Sequence, residues 1–156
     1  VINKFKLAKQ ISEITGKPEK KYIDKGKLVT DNIIYTIVNE RLGKPDCRYG
    51  YILDGFPRTL NQANGLEKIM GSFDHSLDKA ISLYADEDAL VERLVKRGES
   101  SGRSDDTSNI IRQRQKIYWQ QTAPLLDFYE ERGLLNNVDG LGEIKEITER
   151  ILTVMQ

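Results

Sequence analysis

Three short runs that read as strands, at residues 49–53, 79–84 and 134–138, are set apart by stretches whose apolar residues recur at helical spacing. That alternation confines the chain to strands separated by helices, and so to α/β layering around a parallel sheet, because parallel neighbours need a long crossover between them. The runs at 49–53 and 79–84 are expected to be buried strands. The first of them stops at Asp54-Gly55-Phe56-Pro57, the signature of a tight turn. Loops at the carboxyl ends of strands in open α/β sheets are where ligands bind. Asp54 at such a place can orient a magnesium ion through water, and Arg58, one turn on, offers a planar fork of donors matched to phosphate oxygens. These residues by themselves predict phosphate chemistry with a divalent cation.

Size and charge narrow the alternatives. A chain of 156 residues, 38% hydrophobic, is expected to form one domain with a modest core. Lys plus Arg and Asp plus Glu are 24 each, which argues against a general nucleic-acid or membrane-surface binder, since those carry a basic excess. The single cysteine, Cys47, excludes an internal disulfide framework, suits a reducing compartment, and reads as a small residue beside a turn. No apolar run approaches the roughly 20 residues that span a bilayer, and the start Val1-Ile2-Asn3-Lys4 lacks the shape of a signal peptide. The expectation is a soluble, cytoplasmic protein whose natural start is not Val1.

Along the chain, helices are expected over 4–14 and 19–24. Asp31 can cap a helix carrying Ile33, Ile34, Ile37, Val38 and Leu42, which should end near Gly43-Lys44-Pro45. A helix from Thr59 to Met70 follows the first strand, and Asp86 begins another that carries Leu90, Val91, Leu94 and Val95. Residues 100–108 are polar and read as a mobile loop. A long helix over 109–131 should be interrupted or bent at Pro124, and a last helix runs over 143–155. His75 reads as a surface residue, and Trp119 beside Tyr118 as packing.

The segment Asp54-Gly55-Phe56-Pro57-Arg58, followed by Gln62-Ala63, resembles the nucleoside monophosphate kinases, and specifically the adenylate kinases. Gly26-Lys27-Leu28-Val29-x-Asp31 upstream is similar to the same family in order and spacing. So are Arg93-Leu94-x-x-Arg97-Gly98-x-x-Ser101-Gly102-Arg103-x-Asp105-Asp106 and Arg114 downstream. The resemblance runs from about residue 16 to residue 156 and implies a three-layer α/β fold of the P-loop kinase type with a parallel sheet. In that family the amino-terminal strand lies in the centre of the sheet, between the strands expected at 49–53 and 79–84. That strand and the glycine-rich phosphate loop after it do not occur in these residues. The expectation is therefore that a preceding segment or a partner chain completes the sheet, and that these residues alone are inactive.

The resemblance also implies an activity: reversible phosphoryl transfer from Mg-ATP to AMP, giving two ADP. Such transfer is catalysed mainly by positioning and charge stabilisation, which calls for cations around both phosphate groups. By resemblance Arg58 grips the acceptor phosphate, Arg93 and Arg97 face the donor phosphates, and Arg103 and Arg114 close over the transferring group. Ser101, Gly102, Arg103, Asp105 and Asp106 would form a short lid that excludes water, with the two aspartates pairing arginines of the closed site. Gln62 can present a donor and an acceptor to an adenine edge, which favours AMP. Ile23, Lys27, Leu28, Val29 and Gly55 would complete the AMP pocket, and Gly142 would let the donor adenine approach the backbone. Lys6 stands where the family usually has arginine, keeping the charge but losing the bidentate fork. The rival expectation is a kinase-like domain serving as a nucleotide-binding or structural module in a larger assembly.

Overall fold

The computed structural model describes residues 31–101 and 108–156, and the chain divides into two compact units, Val1–Ser76 and Leu77–Gln156. The helices expected over 4–14 and 19–24 lie outside the described residues. In the first unit, helix α1 spans Asp31–Leu42 and helix α2 spans Leu60–Gly71. The two pack on each other, and they carry Ile37, Val38 and Leu42 from α1 and Ala63, Leu66 and Met70 from α2 into the core. α1 ends where the sequence requires: Lys44 is extended because Pro45 clashes with a helical predecessor. Pro45 then opens a single tight turn, Pro45–Tyr49, which buries Cys47 and is closed by Gly50 at φ 116°, a conformation that disfavours any side chain. Thr59 is extended and accepts a hydrogen bond from the Gln62 amide N–H, so it caps α2 rather than forming its first turn.

The strand expected at 49–53 is not formed. Tyr49 belongs to the tight turn, and residues 50–53 have no regular structure; Tyr49 and Ile52 are exposed. A strand is defined by the neighbour that takes its backbone groups, and among the described residues the sheet holds only two strands, which pair with each other. An apolar, β-branched composition is therefore insufficient here without a partner.

The second unit contains that sheet. β1, Ala80–Tyr84, runs parallel to β2, Leu135–Asp139, in register from Ala80 opposite Leu135 to Tyr84 opposite Asp139. Helices occupy the crossover, as parallel pairing demands: α3 spans Glu87–Ser101, α4 Ser108–Ile117 and α5 Pro124–Glu130. Helix α6, Ile144–Met155, follows β2. Among the described residues of this unit, Ile111, Leu125, Tyr129, Val138 and Ile147 are the buried apolar side chains. β1 was expected to be buried, yet Leu83 and Tyr84 are exposed, since only β2 flanks the strand among the described residues.

Local chemistry explains the helix boundaries. Asp86 accepts from the backbone N–H groups of Asp88 and Ala89 and so starts α3. Glu143 and Glu146 form a reciprocal capping box at the start of α6, and Lys79 donates to the Val154 carbonyl at its far end. The long helix expected over 109–131 is broken earlier than its proline. Tyr118–Thr122 forms a widened turn in which the Ala123 N–H reaches Tyr118 O at 2.9 Å, and Pro124 then opens α5. Pro124 has no N–H and its ring crowds the carbonyl four residues back, so the wider turn removes both conflicts. Trp119 lies on this turn and is exposed, its ring edge-on to Tyr118, in contrast to the packed position expected of it. Of the loop expected over 100–108, residues 100, 101 and 108 are helical: α3 continues through Ser101 and α4 begins at Ser108, because a helical ladder once formed extends at little further cost. Residues 102–107 lie outside the described set.

Candidate functional site

The segment after residue 53 makes a compact polar turn. Gly55 has φ 74°, and a Cβ on it would stand 3.1 Å from Nη2 of Arg58, so both the backbone angle and the close approach favour glycine. A cis peptide joins Phe56 to Pro57. Arg58 is exposed and folds back over the turn, its Nε donating to Gly55 O at 2.8 Å. This bond ties the guanidinium to the turn at Gly55; Asp54, the residue before it, is exposed.

Gln62 lies beneath, on the first turn of α2, and is only 5% exposed. Its Oε1 accepts from the Arg58 backbone N–H at 2.8 Å, and its Nε2 donates to Asp31 Oδ1 at 2.9 Å. An amide offers two donors and two acceptor sites, so these bonds engage one of each. Asp31, at the start of α1, also accepts from Asn61 Nδ2 through Oδ2 at 2.6 Å. Tyr35, one turn along α1, donates its hydroxyl to Asn61 O at 2.9 Å. Burial raises the Tyr35 pKa above its ordinary value, and the negative charge of Asp31 raises it further, so the phenol remains a donor. Gly65 makes room for it: a Cβ there would lie 2.4 Å from the Tyr35 ring. The sequence pattern marked Asp31 as a helix cap and as the last residue of a family motif, with no contact assigned to it. Its contacts with Asn61 and Gln62 were not anticipated, and nothing local to Asp31 signals them.

The second unit carries a separate set of polar contacts at the carboxyl ends of its strands. After β2, Gly140 N donates to Tyr84 O at 2.8 Å and Leu141 N to Asp139 Oδ1 at 2.9 Å, which turns the chain sharply. Arg93 on α3 donates to Gly140 O at 3.2 Å. Arg150 on α6 donates through Nη1 to Asp139 O and Leu141 O, at 2.9 and 2.7 Å. Gly142 has φ 110°, and a Cβ on it would meet Glu146 Oε2 at 2.5 Å, so the turn and the capping box both depend on glycine here. Beside the turn is a cavity of about 280 Å³, lined among others by Tyr84, Leu90, Arg93, Leu141 and Ile144. Arg150 is a loop anchor that the sequence pattern missed; an arginine within a helix is too common to stand out.

Several expected site residues cannot be placed in this geometry. Lys6, Ile23, Lys27, Leu28, Val29, Gly102, Arg103, Asp105 and Asp106 lie outside the described residues. Arg97 and Ser101 are positions on α3 and Arg114 is a position on α4, with their side chains outside the described set. Among the described residues no cluster of His, Cys, Asp and Glu could form an all-protein metal cage. A single exposed carboxylate such as Asp54 instead fits a magnesium ion held through water and substrate phosphates, which is how that ion is commonly bound. Among the same residues, no helix is long and apolar enough to cross a membrane.

The adenylate kinase family model matches residues 5–134. The chain is 43% identical over 141 residues to the adenylate kinase of Thermobifida fusca (strain YX), covering 90% of this chain and 75% of that protein. It is 46% identical over 135 residues to the adenylate kinase of Bifidobacterium longum (strain NCC 2705), covering 86% and 73%. Against the adenylate kinase of Stenotrophomonas maltophilia (strain K279a) it is 43% identical over 141 residues, covering 90% and 75%.

Proposed function

The chain belongs to the adenylate kinase family, and from that premise we propose which residues carry the reaction and how. The protein is an enzyme of the nucleoside monophosphate kinase class with a P-loop kinase fold, acting on ATP, ADP and AMP. An oxygen of the AMP phosphate attacks the γ-phosphorus of ATP, the bond from that phosphorus to the β–γ bridging oxygen breaks, and two ADP result. No observation favours the alternative of a binding or structural module.

In our reading Arg58 holds the acceptor phosphate and Gln62 reads the acceptor base. The observation that carries this is their coupling in one turn: the Arg58 backbone N–H is bonded to the Gln62 amide oxygen at 2.8 Å, so the backbone that bears the phosphate-binding fork is tied to the base-reading amide. A preorganised pair of this kind lowers the barrier, because binding does not have to order it. Asp54 orients a magnesium ion through water; when bound, that ion offsets charge on the phosphate oxygens. Arg93 and Gly142 border the donor nucleotide, with the cavity beside the turn after β2 receiving its base. The roles given to Arg97, Arg103, Arg114, Asp105 and Asp106 rest on the family pattern, as do those of Lys6, Ile23, Lys27, Leu28 and Val29. We place the whole chain in one kinase domain acting in the cytoplasm.

The test is ATP formation from ADP by the intact protein. Arg58→Ala should lower turnover by about three orders of magnitude, because an interaction with the reacting phosphate is lost. Wild-type turnover in that variant would overturn the assignment.

A further inference from the structure

We propose that Asp31 makes the acceptor site selective for adenine, by holding the Gln62 amide in one of its two possible orientations. The inference rests on the reading that Gln62 faces the acceptor base. A glutamine amide is nearly symmetric in shape, so turning it over exchanges a donor for an acceptor at almost no steric cost. That exchange matters for purines. Adenine presents an amino donor at C6 beside the N1 acceptor, whereas a 6-oxopurine presents an acceptor beside an N1–H donor. An amide free to turn over can pair with either, and an amide held one way can pair well with only one.

The anchors are visible around Gln62. An ionised carboxylate only accepts, so Asp31 Oδ1 at 2.9 Å demands the nitrogen end of the amide. A backbone N–H only donates, so Arg58 N at 2.8 Å demands the oxygen end. Both anchors demand the same orientation. Reversal would set oxygen against carboxylate and NH₂ against N–H around a side chain only 5% exposed, where little water is at hand to compensate. Asp31 is itself held, since its other oxygen accepts from Asn61 Nδ2 at 2.6 Å. It belongs to a different helix and lies 31 residues from Gln62, so this contact is a tertiary one. Asp31 is thus a positioning residue acting through Gln62. Sites built to hydrogen-bond a particular donor or acceptor discriminate far better than sites that rely on shape.

The experiment compares kcat/KM for AMP and for inosine monophosphate, with ATP as donor and the intact protein as enzyme. Asp31→Asn keeps the shape but can donate as well as accept, so the AMP preference should fall about tenfold, mostly through better use of inosine monophosphate. Asp31→Ser, which keeps a short polar side chain favoured at a helix start, should lower the preference similarly and serves if the first variant folds poorly. A purely structural role would reduce both substrates by one factor and leave their ratio unchanged; an unchanged ratio in these variants overturns the proposal. Gln62→Leu separates the two layers of inference. If it abolishes the preference while the Asp31 variants keep it, Asp31 is refuted and Gln62 stands; if it too keeps the preference, the base-site reading fails and takes the proposal with it.

Discussion

Arg93 donates to the carbonyl of Gly140 across 3.2 Å, tying the helix that follows β1 to the turn that follows β2. The same turn is reached by the β-ladder itself, through Gly140 N and Tyr84 O, so both strand ends and one charged side chain fix it together. If this turn borders the donor nucleotide, Arg93→Ala should raise KM for ATP about tenfold and change KM for AMP much less. Steady-state kinetics with each substrate varied in turn checks this; equal changes in both constants would count against it.

Arg150 holds the turn from the other side, with one nitrogen on the carbonyls of Asp139 and Leu141. Arg150→Met removes a charged donor from partly buried acceptors while preserving much of the stem. The expected loss is about 1.5–3 kcal/mol in urea denaturation, the range for hydrogen bonds to charged groups. Its carboxylate neighbours Asp139 and Glu146 stand at 3.9 Å in partly exposed positions and should add little.

Gly65 sits in the middle of α2, where alanine is ordinarily better by about 1 kcal/mol. Here the sign should reverse. A Cβ at 2.4 Å from the Tyr35 ring has to displace it and break its bond to Asn61 O, and overpacking of this sort costs about 1–3 kcal/mol. Gly65→Ala is therefore expected to lower the denaturation midpoint; a rise would mean that the ring moves aside freely.

The hydrogen bond from Arg41 holds the Asp46 carboxyl below its ordinary value of 3.8, favouring the ionised form in the folded chain. A depressed folded pKa gives stabilisation that is present above 3.8 and is lost as pH falls through the lower folded value. The pair is solvent-exposed, so the effect should be small. Asp46→Asn should be less stable than wild type near neutral pH, and the two denaturation midpoints should converge as pH falls through and below the lowered folded-state value. A difference that persisted there would assign the effect to something other than the ion pair.

Much of the architecture was legible because it is local. Pro45 forces Lys44 out of the helix, Thr59 caps α2, Asp86 starts α3 and Glu143 starts α6, each within a few residues of the boundary it sets. The contacts among the proposed site residues are local too: Gly55, Arg58 and Gln62 are joined by one turn and one helix start. The run at 49–53 was misread for the complementary reason. Its apolar, β-rich composition describes a residue's preference, whereas a strand also needs a neighbour to take its backbone groups. The break at Tyr118–Thr122 was displaced from Pro124 because a proline's conflict falls on the preceding turn, and relief can be taken anywhere along that turn.

The sequence by itself determined the order of the described helices and of the two strands that form, the kinase motif and the class of reaction, since periodicity, turn chemistry and motif spacing act over a few residues. Only the tertiary structure decided which way the Gln62 amide points and what holds the turn after β2. Those answers depend on Asp31 meeting Gln62, 31 residues away, and on Arg93 meeting Gly140, 47 residues away. A hydrogen bond between distant residues has no local signature, because its partners are brought together by the packing of helices and the pairing of strands rather than by anything in their neighbouring sequence.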